Sequence, residues 1–520
     1  MIAVNGIVAL ARPWGPGARL NPDRVKSITI TGGGSAAWLA AATLGRLLKP
    51  EFCSIRVVDS PGAAADAFSQ ASLPTFHRLN GLLGINEADL LQRTRGTFRL
   101  GTRFADWGRQ GDRYFHTFSP IGARLEAVPF HHYWMKLRGL GDPTSIEEYS
   151  VATAAAKMRK FAPPVPDRRS VLSLYSYGYH FDARLLAAYL REYAQAHGVT
   201  RVERDVVQVH LRGEDGFIDE LELDDGSRLR ADLYIDCGGT EGPLSRQSAA
   251  VGHEDWRHWL PCDRAVGVTC ASAGDPAPYS ECSARQSGYA WSVPLRGRSD
   301  CGYAYSSLHV GDDAAAAMLL SELPGTALAE PRLLRLAQGR PTKFWDKNRI
   351  LLTGGILDPL ESTGLHLVQT GITRLLTLFP VRRVSPGDIE EYNRLTIMEH
   401  ERIRDFLVLH FKATQRADSP FWDDCRRMEI PDTLRAKLEL YRHSGRIAML
   451  DEEHFGEDSW LALLLGQNIE PQDYDPLADV IDVGDVRSAL LHMRTLVQDA
   501  VATLPGHSQF IEKHRAQPGA

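Results

Sequence analysis

Three clusters in the 520-residue chain combine residue types and spacing that could do chemistry. The first runs Gly32-Gly33-Gly34-Ser35-Ala36-Ala37 and fits a dinucleotide fingerprint. There the first glycine makes a tight turn, Gly34 lets backbone approach a pyrophosphate, and Ala37 allows close helix–strand contact. A helix beginning at this loop offers N–H groups and a positive dipole end to phosphates. Asp59 falls 22 residues after Ala37, where a ribose-binding acid ends the second strand of such a unit. Taken alone, Asp59 reads equally as a solvated strand-end carboxylate. The second cluster is a pair of strand ends running into small residues, Asp236-Cys237-Gly238-Gly239 and Thr353-Gly354-Gly355. Further backbone approaches of this kind favour FAD over NAD. The third is Asp358-Pro359-Leu360-Glu361-Ser362-Thr363-Gly364, an acid and two hydroxyls in a Pro/Gly-flanked turn, for which helix capping is the plain alternative. His131, His132 and His180 lack a carboxylate or further histidine at ligand spacing, so they read as packed histidines and no metal site is expected.

The elements that must hold these clusters are legible in part. Val25–Thr31 is a β-branched strand, the glycine loop opens a helix, and Ser54–Asp59 is the next strand, which together make a βαβ unit. Helical periodicity recurs at 74–93 and 182–197 within an otherwise mixed, aromatic-rich stretch from 61 to 200. Strands follow at Val206–Val209, Glu220–Leu223 and Leu233–Asp236, with an Asp-Asp-Gly turn at 224–226, and again at Arg349–Thr353. Beyond 385 the period is helical, longest over Asp388–Lys412 and again over 432–444. The expected division is an N-terminal extension over 1–26, a flavin-binding domain with insertions over 27–385, and a helical region over 386–520.

Composition narrows the function classes. The chain has 59 Lys plus Arg against 65 Asp plus Glu, a net charge of −6 without long runs of one sign, which excludes a polyanion-binding footprint. Seven cysteines with no C-x-x-C spacing suggest neither a disulfide framework nor a zinc site, and a reducing cytoplasm is expected. The first twenty residues lack a basic leader and are broken by Pro13 and Pro16, unlike a signal peptide, and no apolar run reaches membrane-span length.

The order of several further segments resembles the flavin-dependent tryptophan halogenase family. The glycine loop with Trp38 is similar to that family's GGGTAGW. Tyr179-His180-Phe181-Asp182, Asp236–Gly239, Pro359–Pro380, Ile403–Phe406, Pro420–Trp422 and Phe455–Trp460 follow in the family's order, from about residue 27 to 510. The resemblance implies an α/β, Rossmann-like flavin-monooxygenase fold with an inserted mixed α/β substrate region and a helical C-terminal cap. It implies FADH2 supplied by a separate reductase, O2, and a halide (bromide or chloride) oxidised to hypohalous acid. That acid would reach an electron-rich, tryptophan- or indole-like arene through a tunnel. On this basis Glu361 is the acid that deprotonates the substrate intermediate, and Ser362, Thr363 and Gly364 border flavin and halide. Gly32–Ala37, Asp59, Val207, Asp236, Gly238 and Gly354 bind the flavin. His116, Phe118 and Trp460 line the substrate ring, and a homodimer is compatible.

Three departures bear on that expectation. The family's catalytic lysine, in TFK-x-G-x-x-F-x-x-W, is Arg99 in Thr97–Trp107. A guanidinium stays charged and is a poor nucleophile, so Arg99 could donate hydrogen bonds but not become a haloamine. The G-W-x-W-x-I-P motif has Tyr289 for one tryptophan, and the G-E-A-T-x-P strap reads Ser69-Gln70-Ala71-Ser72-Leu73-Pro74, without its acid. The alternatives are therefore a flavin monooxygenase that does not halogenate, or an inactive flavin-binding relative.

Overall fold

The first strand forms over Ser27–Thr31, and everything in it after Ser27 is buried. In the computed structural model, which describes residues 21–60, 68–239, 242–246, 252–272, 274–353 and 359–515, this strand lies inside a six-stranded sheet. Across that sheet run Trp345–Asp346, Arg349–Leu351, Leu233–Asp236, Ser27–Thr31, Ser54–Val58 and Thr200–Val202. All neighbours are parallel except the first pair, which is antiparallel. The βαβ unit is as expected: Ser27–Thr31, the helix Ser35–Leu47, then Ser54–Val58 in register. That helix buries a run of alanines and Trp38, which lets it lie close to the strands.

The periodicity at 74–93 resolves into two helices, Thr75–Leu83 and Glu87–Arg93. The break is Gly84, whose φ of +69° ends the first helix in a conformation that costs a glycine nothing. Ala183–Ala196 is capped by Asp182, whose carboxylate accepts the Arg184 and Leu185 N–H groups. A separate three-stranded antiparallel sheet holds Val206–Leu211, Ile218–Leu223 and Arg228–Leu229.

The chain divides into two compact units that alternate along the sequence. One comprises Met1–Gly96, Phe181–Arg257 and Leu336–Glu401; the other comprises Thr97–His180, His258–Arg335 and Arg402–Ala520. This differs from the serial division at 385/386. Parallel pairing is the reason, because Leu233–Asp236 and Arg349–Leu351 complete a sheet begun at Ser27, while His258–Arg335, within the chain between those two strands, belongs to the other unit.

The second unit contains a seven-stranded sheet that periodicity did not reveal: Arg332–Arg335, Arg264–Ala271, Arg298–Tyr305, Gly288–Leu295, Ser280–Arg285, Gly101–Ala105 and Arg113–Thr117. Beyond residue 385 the regular elements among the described residues are helical, including Pro386–Lys412, Asp432–Ser444 and Glu457–Gly466. Among the described residues no helix is long and apolar enough to cross a membrane.

Candidate active site

In the first unit the glycine loop is shaped by contacts that exclude side chains. Gly32 has φ +127°, and a Cβ there would sit 3.3 Å from the backbone carbonyl of Cys237. A Cβ on Gly33 would lie 2.1 Å from an Asp59 carboxylate oxygen. Gly34 is the helix N-cap in extended conformation and carries no side chain over the first turn of Ser35–Leu47. Ser35 donates its hydroxyl to Gln70 Oε1 at 2.9 Å, so the strap position without its acid still supplies an acceptor beside the loop. These features fit a dinucleotide pyrophosphate at the loop. Asp59 is not a solvated carboxylate: it is 7% exposed and receives Arg201 Nε at 2.7 Å.

Asp236 follows a different logic. It is buried, and its oxygens accept the Gly238 N–H at 2.8 Å, the Ser245 N–H at 2.9 Å and the Ser245 hydroxyl at 3.1 Å. Burial raises its pKa and these bonds oppose that rise. Its carboxylate therefore shapes the Cys237–Gly238 turn, where a Cβ on Gly238 would meet Gly242 Cα at 2.6 Å. Val207 lies on the separate three-stranded sheet with its side chain half exposed. Gly354 falls outside the described residues.

Glu361 ends a one-turn 3-10 helix, Pro359–Glu361, and is 1% exposed. Ser362 follows with φ +57°, an uncommon conformation for a residue with a side chain, and its N–H donates to Pro359 O at 3.1 Å. Thr363 is the N-cap of the helix Gly364–Thr377 without a side-chain cap bond, and Gly364 is exposed with open space where a Cβ would be. This helix packs on both Ser35–Leu47 and Thr75–Leu83. The structure thus brings the helix opened by the Glu361 turn against the helix opened by the glycine loop, within one unit.

The second unit assembles the residues expected around the substrate. Arg99 ends the strand Thr97–Arg99, pairs with Gly178 and is fully buried. Its Nη2 donates to Thr102 Oγ1 at 2.8 Å, and its guanidinium carbon lies 5.1 Å from the Phe118 ring centroid. His116 is 6.5 Å from Phe118, 5.5 Å from Phe406 and 5.8 Å from Phe455, centroid to centroid. Phe406 stacks on Phe455 at 3.9 Å and meets Trp460 edge-on at 5.0 Å. Lys437 Nζ sits 4.4 Å from the Trp460 ring and pairs with Glu453 at 2.6 Å. His116, Phe118 and Trp460 therefore belong to one run of aromatic contacts that begins at Arg99. Phe406 and Phe455, which link them, were visible in the sequence only as parts of motifs. Tyr289 is fully buried against Trp107 and Phe411, so the changed position is filled by packing.

The three histidines singled out in the sequence are buried and hydrogen-bonded. His180 is fully buried between Thr97 Oγ1 at 2.8 Å and Ser280 Oγ at 3.0 Å; burial, then the Arg99 charge, pushes its pKa well down. His131 bonds the Gly445 carbonyl at 2.9 Å, and His132 accepts the Asp475 N–H at 3.1 Å. Among the described residues no group of three His, Cys, Asp or Glu could hold a metal ion. Arg201, which fixes Asp59 across 142 residues, gave no signal in sequence.

Comparison with known proteins shows the family. The tryptophan halogenase family model matches residues 27–483. BrvH, a flavin-dependent halogenase from Brevundimonas sp. BAL3, shares 39% identity with a TM-score of 0.91, covering 95% of this chain and 99% of that one. A flavin-dependent halogenase from Xanthomonas campestris shares 37% identity with a TM-score of 0.91, covering 96% of this chain and all of the other. Tryptophan 6-halogenase SttH of Streptomyces toxytricini is 26% identical over 94% of this chain and 98% of its own. With its sheet, glycine loop and Glu361 turn in the family's order, the chain belongs to the tryptophan halogenase family, a class of FADH2-dependent oxidoreductases.

Proposed function

We propose that this protein uses FADH2 from a separate reductase, O2 and a halide to halogenate an electron-rich, indole-like arene, with Arg99 in the place of the family's lysine. The observation that carries the reading is the buried Glu361 on a turn whose helix packs against the glycine-loop helix within one unit. When bound, the reduced flavin supplies the oxidation of halide by O2. Gly32, Gly33, Gly34 and the N–H groups of Ser35, Ala36 and Ala37 receive the pyrophosphate, and Asp59, held by Arg201, takes a ribose hydroxyl. Ser362, Thr363 and Gly364 border flavin and halide.

His116, Phe118 and Trp460 hold the arene ring by edge and face contacts. Arg99 remains a cation and donates N–H bonds to the oxygen of hypohalous acid, which withdraws electron density from the halogen. The arene carbon takes the halogen as the oxygen–halogen bond breaks, the oxygen leaves as hydroxide, and Glu361 accepts the ring proton in the step that restores aromaticity and passes it on, so that the hydroxide ends as water. In this reading Arg99 orients and polarises without forming a covalent haloamine.

The experiment supplies reduced FAD, bromide and a panel of indoles, with product followed by mass. The expected result is a brominated arene from the parent that Glu361→Ala does not make. Incorporation of oxygen from O2 into product without any need for halide would overturn the proposal in favour of a monooxygenase.

A further inference from the structure

Glu399, on the helix Pro386–Lys412 and 4% exposed, meets one face of the helix Gly364–Thr377 at three places. His366 Nε2 lies 3.1 Å from its Oε1, while Thr370 Oγ1 at 2.8 Å and Arg374 Nη1 at 2.7 Å both donate to its Oε2. Residues 366, 370 and 374 are spaced by four, so they form a ladder along one stripe of that helix. Burial opposes ionisation of Glu399, but the bond from His366 and the Arg374 charge outweigh it and hold the carboxyl well below its usual range. His366 carries the contact further, because its Nδ1 lies 3.3 Å from Thr75 Oγ1. Thr75 opens the helix that follows the strap, and Gln70 in that strap accepts the Ser35 hydroxyl at the glycine loop.

The helix also buries Leu365, Leu367, Val368, Ile372, Leu375 and Leu376. Apolar burial is non-directional and leaves rotation and axial slide only loosely fixed, whereas three directional bonds to one carboxylate fix both. Thr363 adds no side-chain cap and Ser362 sits at φ +57°, so the turn that bears Glu361 follows wherever the helix is held.

We propose that Glu399 is the positioning residue of the Glu361 turn, and that His366 passes its hold through Thr75 to the strap that carries Gln70. The turn and the glycine loop then keep one relative geometry. This rests on the roles proposed above for Glu361 and for Gly32–Ala37, and it adds the device that sets their registration.

Three variants of the full chain test it: Glu399→Leu removes the ladder, Glu399→Gln keeps uncharged hydrogen bonding, and Thr75→Val cuts only the link to the strap. Amide hydrogen exchange over Ser362–Leu367, measured without flavin, is expected to be about tenfold faster in Glu399→Leu and to return to within about threefold of the parent in Glu399→Gln. In turnover, kcat falls about tenfold in Glu399→Leu with the arene KM within about twofold, and Glu399→Gln rescues it. Thr75→Val raises the dissociation constant for oxidised FAD about threefold while its melting temperature stays within a few degrees of the parent. Parent-like exchange over Ser362–Leu367 in folded Glu399→Leu overturns the proposal. If Glu399→Leu does not fold, Thr75→Val decides: an unchanged dissociation constant for oxidised FAD overturns it. A parent protein that yields no halogenated arene refutes the halogenation reading, whereas the exchange and FAD titrations still decide the positioning.

Discussion

The two units solve the problem of placing chemistry in opposite ways. In the first, the candidate site is made of backbone and small residues: a glycine loop, an uncapped helix start, and an acid on a turn with positive φ. In the second, it is made of large side chains, with Arg99 over Phe118 and His116 among Phe118, Phe406 and Phe455. A backbone site constrains residue identity only where a Cβ does not fit, as at Gly32 and Gly33. Gln70 illustrates this latitude, because an amide oxygen accepts the Ser35 hydroxyl as an acid would. A side-chain site constrains shape and charge at every position, so the exchange of lysine for Arg99 reaches the chemistry itself.

The largest expected effect tests whether the acid of the first unit is the chemical group. Glu361→Ala should lower turnover by roughly a hundredfold or more, as loss of a positioned proton acceptor does. FAD affinity should stay near the parent value, and a joint loss of both would place Glu361 in flavin binding instead. Next, Gly33→Ala drives a methyl group into the Asp59 carboxylate and away from its bond to Arg201, so FAD binding measured by fluorescence should weaken about tenfold or more. Unchanged affinity would mean that the loop relaxes freely and does not form a fitted cradle.

A smaller change is expected in the second unit. Arg99→Lys should raise the halogenation rate by about tenfold, since an amine provides the nucleophile that a guanidinium lacks. An equal or lower rate would show that the surroundings of Arg99, including Phe118 and Thr102, are built for the planar cation.

The last prediction concerns pH. His507 Nε2 accepts the Phe98 N–H at 3.3 Å and its Nδ1 donates to Pro276 O at 2.9 Å, and burial lowers its pKa to about 4. The unfolded histidine titrates near its ordinary 6.5, so between these values the unfolded chain binds the extra proton. Stability present above pH 6.5 is lost as pH falls toward 4, by up to about 3 kcal/mol from this residue. His507→Asn should flatten that part of the melting temperature profile, and an unaltered slope would assign the acid sensitivity to other groups.

Much of the first unit was legible because its signals are local. A β-branched strand, a glycine turn and a helix start are written in consecutive residues, and Asp59 stands at a fixed offset from them. The break at Gly84 was not read from the sequence, whose period ran as one helical stretch over 74–93, because its positive φ is a matter of conformation and not of periodicity. The seven-stranded sheet was not legible, since its strands alternate unevenly between buried and half-buried positions and its order joins residues 101–117 to residues 264–335. His366, Thr370 and Arg374 stood in the sequence only as parts of the Pro359–Pro380 segment, and nothing local pointed to Glu399 as their common partner.

The sequence alone determined the glycine loop, the βαβ unit, the placement of Glu361 in a Pro/Gly-bounded turn, and the presence of arginine at position 99. These follow from short-range rules of dihedral freedom, periodicity and residue chemistry. The tertiary structure decided that Asp59 is a buried ion pair and that Asp236 serves its own turn. It also decided that His116, Phe118 and Trp460 share one aromatic network, and that one carboxylate holds the helix behind Glu361. Apart from the Asp236 turn, whose partners Gly238 and Ser245 are near in sequence, these depend on partners dozens to hundreds of residues away, brought together by strand pairing and core packing, which no local pattern encodes.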